Sequence, residues 1–207
     1  MKAYQRLLKY FISPLLAIGL SLPGIAIQAA DGGKLAQEKC EQCHGKNGNS
    51  DKEDVPSIAG FSDVVLIDSM EMYREGERTG AKYKLEGEPE TDMNEIAKKL
   101  GNENIEALGV FYSQQEFLPR TQKFDASLAE KGAEIHDAKC ENCHSEQGGN
   151  PDDDAAILAG QWTPYLRTQF TAFMSGEREA PKKMQKKIEN LSPEDIEALL
   201  NFYAGQQ

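Results

Sequence analysis

The sequence predicts an all-α protein of two tandem domains, and three observations carry that prediction. The chain repeats itself: Gly32, Leu35 and Lys39-Cys40-Glu41 recur as Gly132, Ile135 and Lys139-Cys140-Glu141, at an offset of 100 residues. Ile58-Ala59-Gly60 and Gly76-Glu77-Arg78 recur as Leu158-Ala159-Gly160 and Gly176-Glu177-Arg178 at the same offset. Apolar residues recur at helical spacing, Ile105, Leu108 and Tyr112 in one copy and Ile196, Leu199 and Tyr203 in the other. No stretch of useful length alternates apolar and polar residues as a strand does.

Residues 1–30 carry the marks of an export signal: basic Lys2, Arg6 and Lys9, an apolar run, and small residues at Ala29 and Ala30. The run is short for a membrane span and is interrupted by Pro14 and Pro23, so the mature chain is expected to be periplasmic and not membrane-spanning. The first domain is expected over residues 31–115, a linker over 116–125 around Pro119, and the second domain over 126–207. In each copy a first helix, residues 32–43 and 129–143, leads into a cysteine motif. A second helix follows at 64–75 and 164–175, with Pro164 acceptable in a first turn. The last helix of the second copy opens with Ser192-Pro193-Glu194-Asp195, a cap, a first-turn proline and acids that suit the helix dipole. Beyond Arg78 the register changes: Met93, Leu100 and Ile105 match Met184, Leu191 and Ile196 at an offset of 91, so the first copy holds nine extra residues between Arg78 and Met93. Gly32 and Gly132 are expected where the first helix crosses the last, near Tyr112 and Tyr203.

The formal net charge is −11, and removal of the signal takes three of 23 basic residues and none of 34 acidic ones, leaving −14. That charge excludes nucleic acid and anionic lipid as partners and favours a basic protein. Each copy spans only about eighty residues, a size at which a bound cofactor often completes the core.

All four cysteines lie in two equivalent motifs, Cys40-Glu41-Gln42-Cys43-His44 and Cys140-Glu141-Asn142-Cys143-His144. Cysteines three residues apart and a histidine one residue later share one face of a helical turn. Two thiols can there form thioethers with one haem while the imidazole binds its iron, and C-x-x-C-H is the attachment mark of c-type haem. Two covalently bound haem c groups follow, on Cys40, Cys43 and His44 and on Cys140, Cys143 and His144. A redox dithiol would accompany a βαβ pattern, a zinc site would need a fourth ligand, and disulfides would leave His44 and His144 unexplained. Met93 and Met184, aligned with each other and standing before the last helix, are the candidate sixth ligands; methionine opposite histidine suits electron transfer. Met70, Met72 and Met174 are assigned to core packing and His136 to the surface or core. Arg78 and Arg178 are candidates to pair with haem propionates.

The chain resembles a dihaem class I cytochrome c, and more narrowly the cytochrome subunit of flavocytochrome c sulfide dehydrogenase. ILAGQWTPYL (157–166), FDASLAEKGAEIHDAKCENCH (124–144), and KKMQKKI before the terminal FYAGQQ carry the resemblance. It implies two cytochrome c-like domains packed face to face, with irons held by His44 and Met93 and by His144 and Met184. It also implies a separate FAD flavoprotein subunit that oxidises sulfide, and a small soluble cytochrome or other acceptor downstream. In class I cytochromes a proline stands at the position of Pro56, its carbonyl accepting from the histidine Nδ1; the second copy has Ala156 there. The chain itself shows no nucleophile, general base or open metal site and is read as an electron-transfer subunit, not an enzyme. The competing reading is a free-standing soluble dihaem carrier delivering electrons to a terminal oxidase; a dihaem peroxidase would need one open iron and is disfavoured by two equivalent methionines.

Overall fold

The computed structural model describes the backbone of residues 23–207 and side chains from residue 31 onward, so residues 1–22 of the expected export signal lie outside the described residues. Ten α-helices and one short 3-10 turn (Lys46–Gly48) make up the described fold, and the pairing seen in the sequence is repeated in space. In the first half these are α1 (Pro23–Lys39), α2 (Glu41–His44), α3 (Asp63–Glu75), α4 (Met93–Ala97) and α5 (Asn102–Ser113). In the second they are α6 (Ala126–Lys139), the short kinked α7 (Ser145–Gly148), α8 (Thr163–Ser175), α9 (Lys182–Ile188) and α10 (Pro193–Ala204). The only extended pairing among the described residues is an isolated bridge between Tyr83 and Thr91.

Local chemistry fixes the helix ends. Ser62 Oγ accepts from Val65 N at the start of α3, and Gly76, in the left-handed region, ends it. The Ser192 hydroxyl accepts from Asp195 N while the Asp195 carboxylate accepts from Ser192 N, a reciprocal cap for α10 with Pro193 in the first turn. The first helix of each half stops at Lys39 or Lys139, earlier than the expected 43 and 143. The cysteine motif instead makes its own turn, in which His44 N donates to Cys40 O (2.9 Å) and His144 N to Cys140 O (3.0 Å).

In each half the first helix packs against the last, α1 on α5 and α6 on α10. A glycine makes that approach possible: a methyl group built on Gly32 would stand 2.1 Å from Ala107 O, and one on Gly132 2.1 Å from Ala198 O. Ala36, Leu100, Ile105, Leu108 and Tyr112 form the first core, joined by Met70. Leu166, Leu191, Leu199, Leu200, Phe202 and Tyr203 form the second. Met174, expected in a core, is 45% exposed at the end of α8; its position is that of charged Arg74 in the first copy, on the outer face of the helix.

Between α5 and α6 the chain is without helix but is stitched to both halves. Leu118 N donates to Asn49 Oδ1 (2.8 Å), Arg120 N to Gly160 O (2.8 Å), and Gln122 Nε2 to Gln161 O (2.8 Å). The halves also touch directly. Trp162 Nε1 donates to Ser50 O (2.8 Å) and Tyr165 N to Glu53 O (3.1 Å), so GQWTPYL is an interface segment reaching the 50–57 loop of the first half.

Candidate functional site

Each half brings its cysteine motif, a loop that follows it, and a methionine-bearing helix to one core. Cys40 packs against the first core and Cys140 against the second. All four cysteines are free. Burial pushes the Cys40 thiol up to about 11 and raises Cys140 and Cys43. Thiols held protonated at neutral pH are poor redox dithiols, which weighs against thiol–disulfide exchange as their task.

The two histidines are placed alike. His44, buried, donates from Nδ1 to Pro56 O (2.9 Å), and His144 donates from Nδ1 to Ala156 O (3.1 Å). A peptide carbonyl only accepts, so the proton sits on Nδ1 and Nε2 keeps its lone pair. Burial lowers the pKa of both imidazoles, holding them neutral. A neutral, oriented imidazole with a free Nε2 is what an iron ligand requires.

Met93 and Met184 are half-buried and stand in the short helices α4 and α9, whereas the sequence suggested loop positions. Met93 is held from below by its neighbour. Asn94 Nδ2 donates to Tyr73 O and Arg78 O (both 2.7 Å), and its Oδ1 accepts from Gly80 N (2.8 Å). Gly80 lies so close that a side chain there would stand 2.9 Å from Met93 N. Gln185 is the equivalent of Asn94 in the second copy.

Of the arginines singled out from sequence, Arg78 is buried and Arg178 half-buried. Arg78 is 6% exposed, stacks on the Tyr73 ring (4.6 Å), and crosses to the second half to reach Tyr165 Oη (3.2 Å) and Gln169 Oε1 (3.0 Å). Arg178 donates to the same Gln169 oxygen (2.6 Å) and stacks on Phe173 (4.3 Å); burial, then repulsion from Arg78, depress it to about 10. Neither guanidinium has a carboxylate within 4 Å among the described residues. Two like charges, one buried and one half-buried, that share a single amide oxygen without an anion are costly, and the carboxylates of a haem would relieve that cost. The tyrosines on the last helices differ. Tyr203 Oη bonds His136 Nδ1 (2.9 Å), whose Nε2 reaches Glu141 (2.8 Å), making His136 a core residue at 1% exposure. In the first copy Ala36 replaces that histidine, and the buried Tyr112 hydroxyl has no hydrogen-bond partner among the described residues.

Free cysteines beside an oriented histidine, buried cations lacking an anion and an orphaned hydroxyl all fit a haem in each half. The family model described as cytochrome c matches residues 29–112, and that of subunit III of cbb3-type cytochrome c oxidase matches residues 127–202. Cytochrome c-554(548) of Halomonas halodenitrificans is 32% identical over 77 residues, 37% of this chain and 84% of that protein. The chain belongs to the cytochrome c family. This cytochrome c carries two covalently bound haem c groups and is an electron-transfer protein similar to cytochrome c4. Cytochrome c4 of Stutzerimonas stutzeri is 27% identical over 209 residues, 95% of this chain and 98% of that one. The crystal structure of reduced recombinant cytochrome c4 from Pseudomonas stutzeri matches with a TM-score of 0.68 at 27% identity, covering 86% of this chain and 97% of that one. The thiosulfate dehydrogenase electron acceptor of Stutzerimonas stutzeri (strain A1501) is 25% identical over 215 residues, 93% of this chain and 94% of that one. No helix among the described residues is long and apolar enough to cross a membrane.

Sequence reasoning missed the Asn94 bracket and the cross-domain arginine pair. The amide and carbonyl groups that Asn94 joins are 14 to 21 residues away, a spacing no local rule reports.

Proposed function

We propose that this chain is an exported, periplasmic dihaem cytochrome c that relays single electrons from a dehydrogenase of reduced sulfur to a one-electron acceptor. Cys40 and Cys43 hold the first haem and Cys140 and Cys143 the second, with His44 and Met93, and His144 and Met184, as the iron ligands. The observation that carries the reading is the matched pair of histidines, each with Nδ1 tied to a carbonyl and Nε2 free. When bound, haem would supply a one-electron redox centre, and ligation by both a histidine and a methionine would leave its iron no open position for a substrate.

The protein's own residues do the rest. The carbonyls of Pro56 and Ala156 orient the imidazoles, Asn94 sets Met93, and the two cores exclude water. Arg78 and Arg178 neutralise propionate charge where the halves meet, and Gln169, shared by both, fixes their spacing.

The donor we propose is a FAD flavoprotein of the sulfide dehydrogenase type. A flavin that oxidises sulfide gives up electrons in pairs, and two one-electron centres in one chain accept them singly. Similarity to a thiosulfate dehydrogenase electron acceptor supports a sulfur-oxidising donor. Similarity to cytochrome c4 favours the second reading, a free-standing carrier to a terminal oxidase. The surface of helix α9 around Met184 and the loop leading to Met93 carry opposite charge, which suits entry and exit at different ends. Lys182, Lys183, Lys186 and Lys187 are exposed around Met184, while Glu86, Glu88 and Glu90 are exposed in the loop before Met93. An acidic acceptor then docks at α9 and a basic donor at the first domain.

The oxidised protein is expected to show the weak near-infrared iron–sulfur band with intensity for two haems, and Met93→Ala and Met184→Ala each to remove about half. An unchanged band rejects that ligand. Isolation from the native source is expected to bring down a flavin-containing subunit; recovery of the free chain alone at native salt selects the carrier reading.

A further inference from the structure

We infer that Gln161, in the second domain, is a positioning residue for the histidine of the first haem. The connection runs through one peptide group. His44 Nδ1 donates to Pro56 O, and that carbonyl shares its amide with the N–H of Ser57. The Ser57 N–H donates to Gln161 Oε1 (3.0 Å), and Gln161 Nε2 donates back to Ser57 O (2.8 Å), across 104 residues of sequence. Gln161 and Ser57 are both fully buried. The side-chain amide has one orientation that works, since the reverse would face donor to donor and acceptor to acceptor.

An amide whose N–H is bonded has a more strongly accepting carbonyl, because hydrogen bonds in a chain polarise one another. A better acceptor at Nδ1 makes the imidazole a more basic ligand and favours the more positive state of the metal it holds. Gln161 therefore holds down the reduction potential of the first haem. The second haem lacks the device. Phe61 stands at the position equivalent to Gln161 and has no amide to offer, and the His144 to Ala156 bond is the longer of the two. The Trp162 side chain binds the same loop through Ser50 O and not by a hydrogen bond to the Pro56–Ser57 peptide, and so serves as the control for loop packing.

The inference rests on His44 being the ligand of the first haem, which the haem count and low-spin spectrum of each variant check separately. The experiment is a spectroelectrochemical titration of the holoprotein resolving both haems. Gln161→Met keeps length and volume but removes the amide; it is expected to raise the reduction equilibrium constant of the first haem about threefold to tenfold, tenfold being 59 mV for one electron. The second haem is expected to stay put. Gln161→Glu still presents an oxygen to the Ser57 N–H and is expected to show no rise, a test that stands even where the methionine variant folds poorly. The inference is overturned if Gln161→Met leaves both potentials unmoved, if Gln161→Glu raises the first potential, or if Trp162→Phe raises it as much as Gln161→Met does.

Discussion

Replacing Gly32 by alanine adds one methyl group at the tightest point of the first domain. That carbon would stand 2.1 Å from Ala107 O, 2.8 Å from Ala107 C and 2.9 Å from Phe111 Cβ. Reaching an ordinary 3.4 Å contact requires α1 and α5 to part by about 1.3 Å. The obstacle is a backbone carbonyl in mid-helix, which has no rotamer to change. The upper end of the overpacking range, about 3 kcal/mol, therefore applies. Alanine returns about 1 kcal/mol through its greater helix propensity. The net loss is about 2 kcal/mol, or roughly 4–8 °C in Tm for a chain of this size. The neighbouring Gly33→Ala supplies the comparison, since its methyl meets only the edge of the Phe111 ring, at 3.1 Å. A side chain can swing by a few tenths of an ångström, so that variant is expected to be as stable as the parent or slightly more so. Thermal unfolding of the haem-loaded protein, followed at the Soret band, measures both. Equal Tm values for the two variants would refute the reasoning.

Three further outcomes are expected. Asn94→Ala removes three hydrogen bonds that bracket Met93 and is expected to weaken the near-infrared band of the first haem, whereas Gln185→Ala leaves that of the second intact. Changing Lys182, Lys183, Lys186 and Lys187 together to glutamine is expected to slow oxidation of the reduced protein by an acidic copper protein about tenfold at moderate salt; an unchanged rate removes α9 as the docking face. Asp195 is held below the usual carboxylate range by Lys131, then by the Ser192 backbone. A depressed carboxylate stabilises the fold above its unfolded pKa of about 4, and that contribution fades as pH falls through the folded value. Acid unfolding of Asp195→Asn is accordingly expected to show a shallower loss of stability below about pH 4, without the parent's added stability at neutral pH.

Much of this molecule was legible from the chain because it obeys short-range rules. The i, i+3, i+7 rows of Ile105, Leu108 and Tyr112 are buried together, the Ser192 cap forms with its acid, and Gly32 and Gly132 mark the helix crossings. The Pro56 carbonyl, named through resemblance, stands where the His44 proton needs it. What escaped was long-range or depended on what lies opposite. Arg78 looks like an exposed helix-end residue until the second half covers it with Tyr165 and Gln169. GQWTPYL carries a family resemblance and a helix start in the sequence, but only the fold reveals that its glutamine, tryptophan and tyrosine grip a loop a hundred residues away. The early stop at Lys39 was hidden because Cys40 N still bonds Ala36 O, so the helical pattern persists one residue past the helix itself.

The nine extra residues before Met93 have their ends already joined. Tyr83 and Thr91 exchange backbone hydrogen bonds (2.8 and 2.9 Å), and Lys82 clasps Asp92 (2.7 Å) and Glu95 (2.9 Å) just outside them. What lies beyond that clasp, residues 84–90, hangs as a pendant whose base is closed before the chain reaches the methionine. Selection can lengthen, trim or recharge the pendant and so change which protein the first domain greets, while Met93 and the helix that carries it stay where they were.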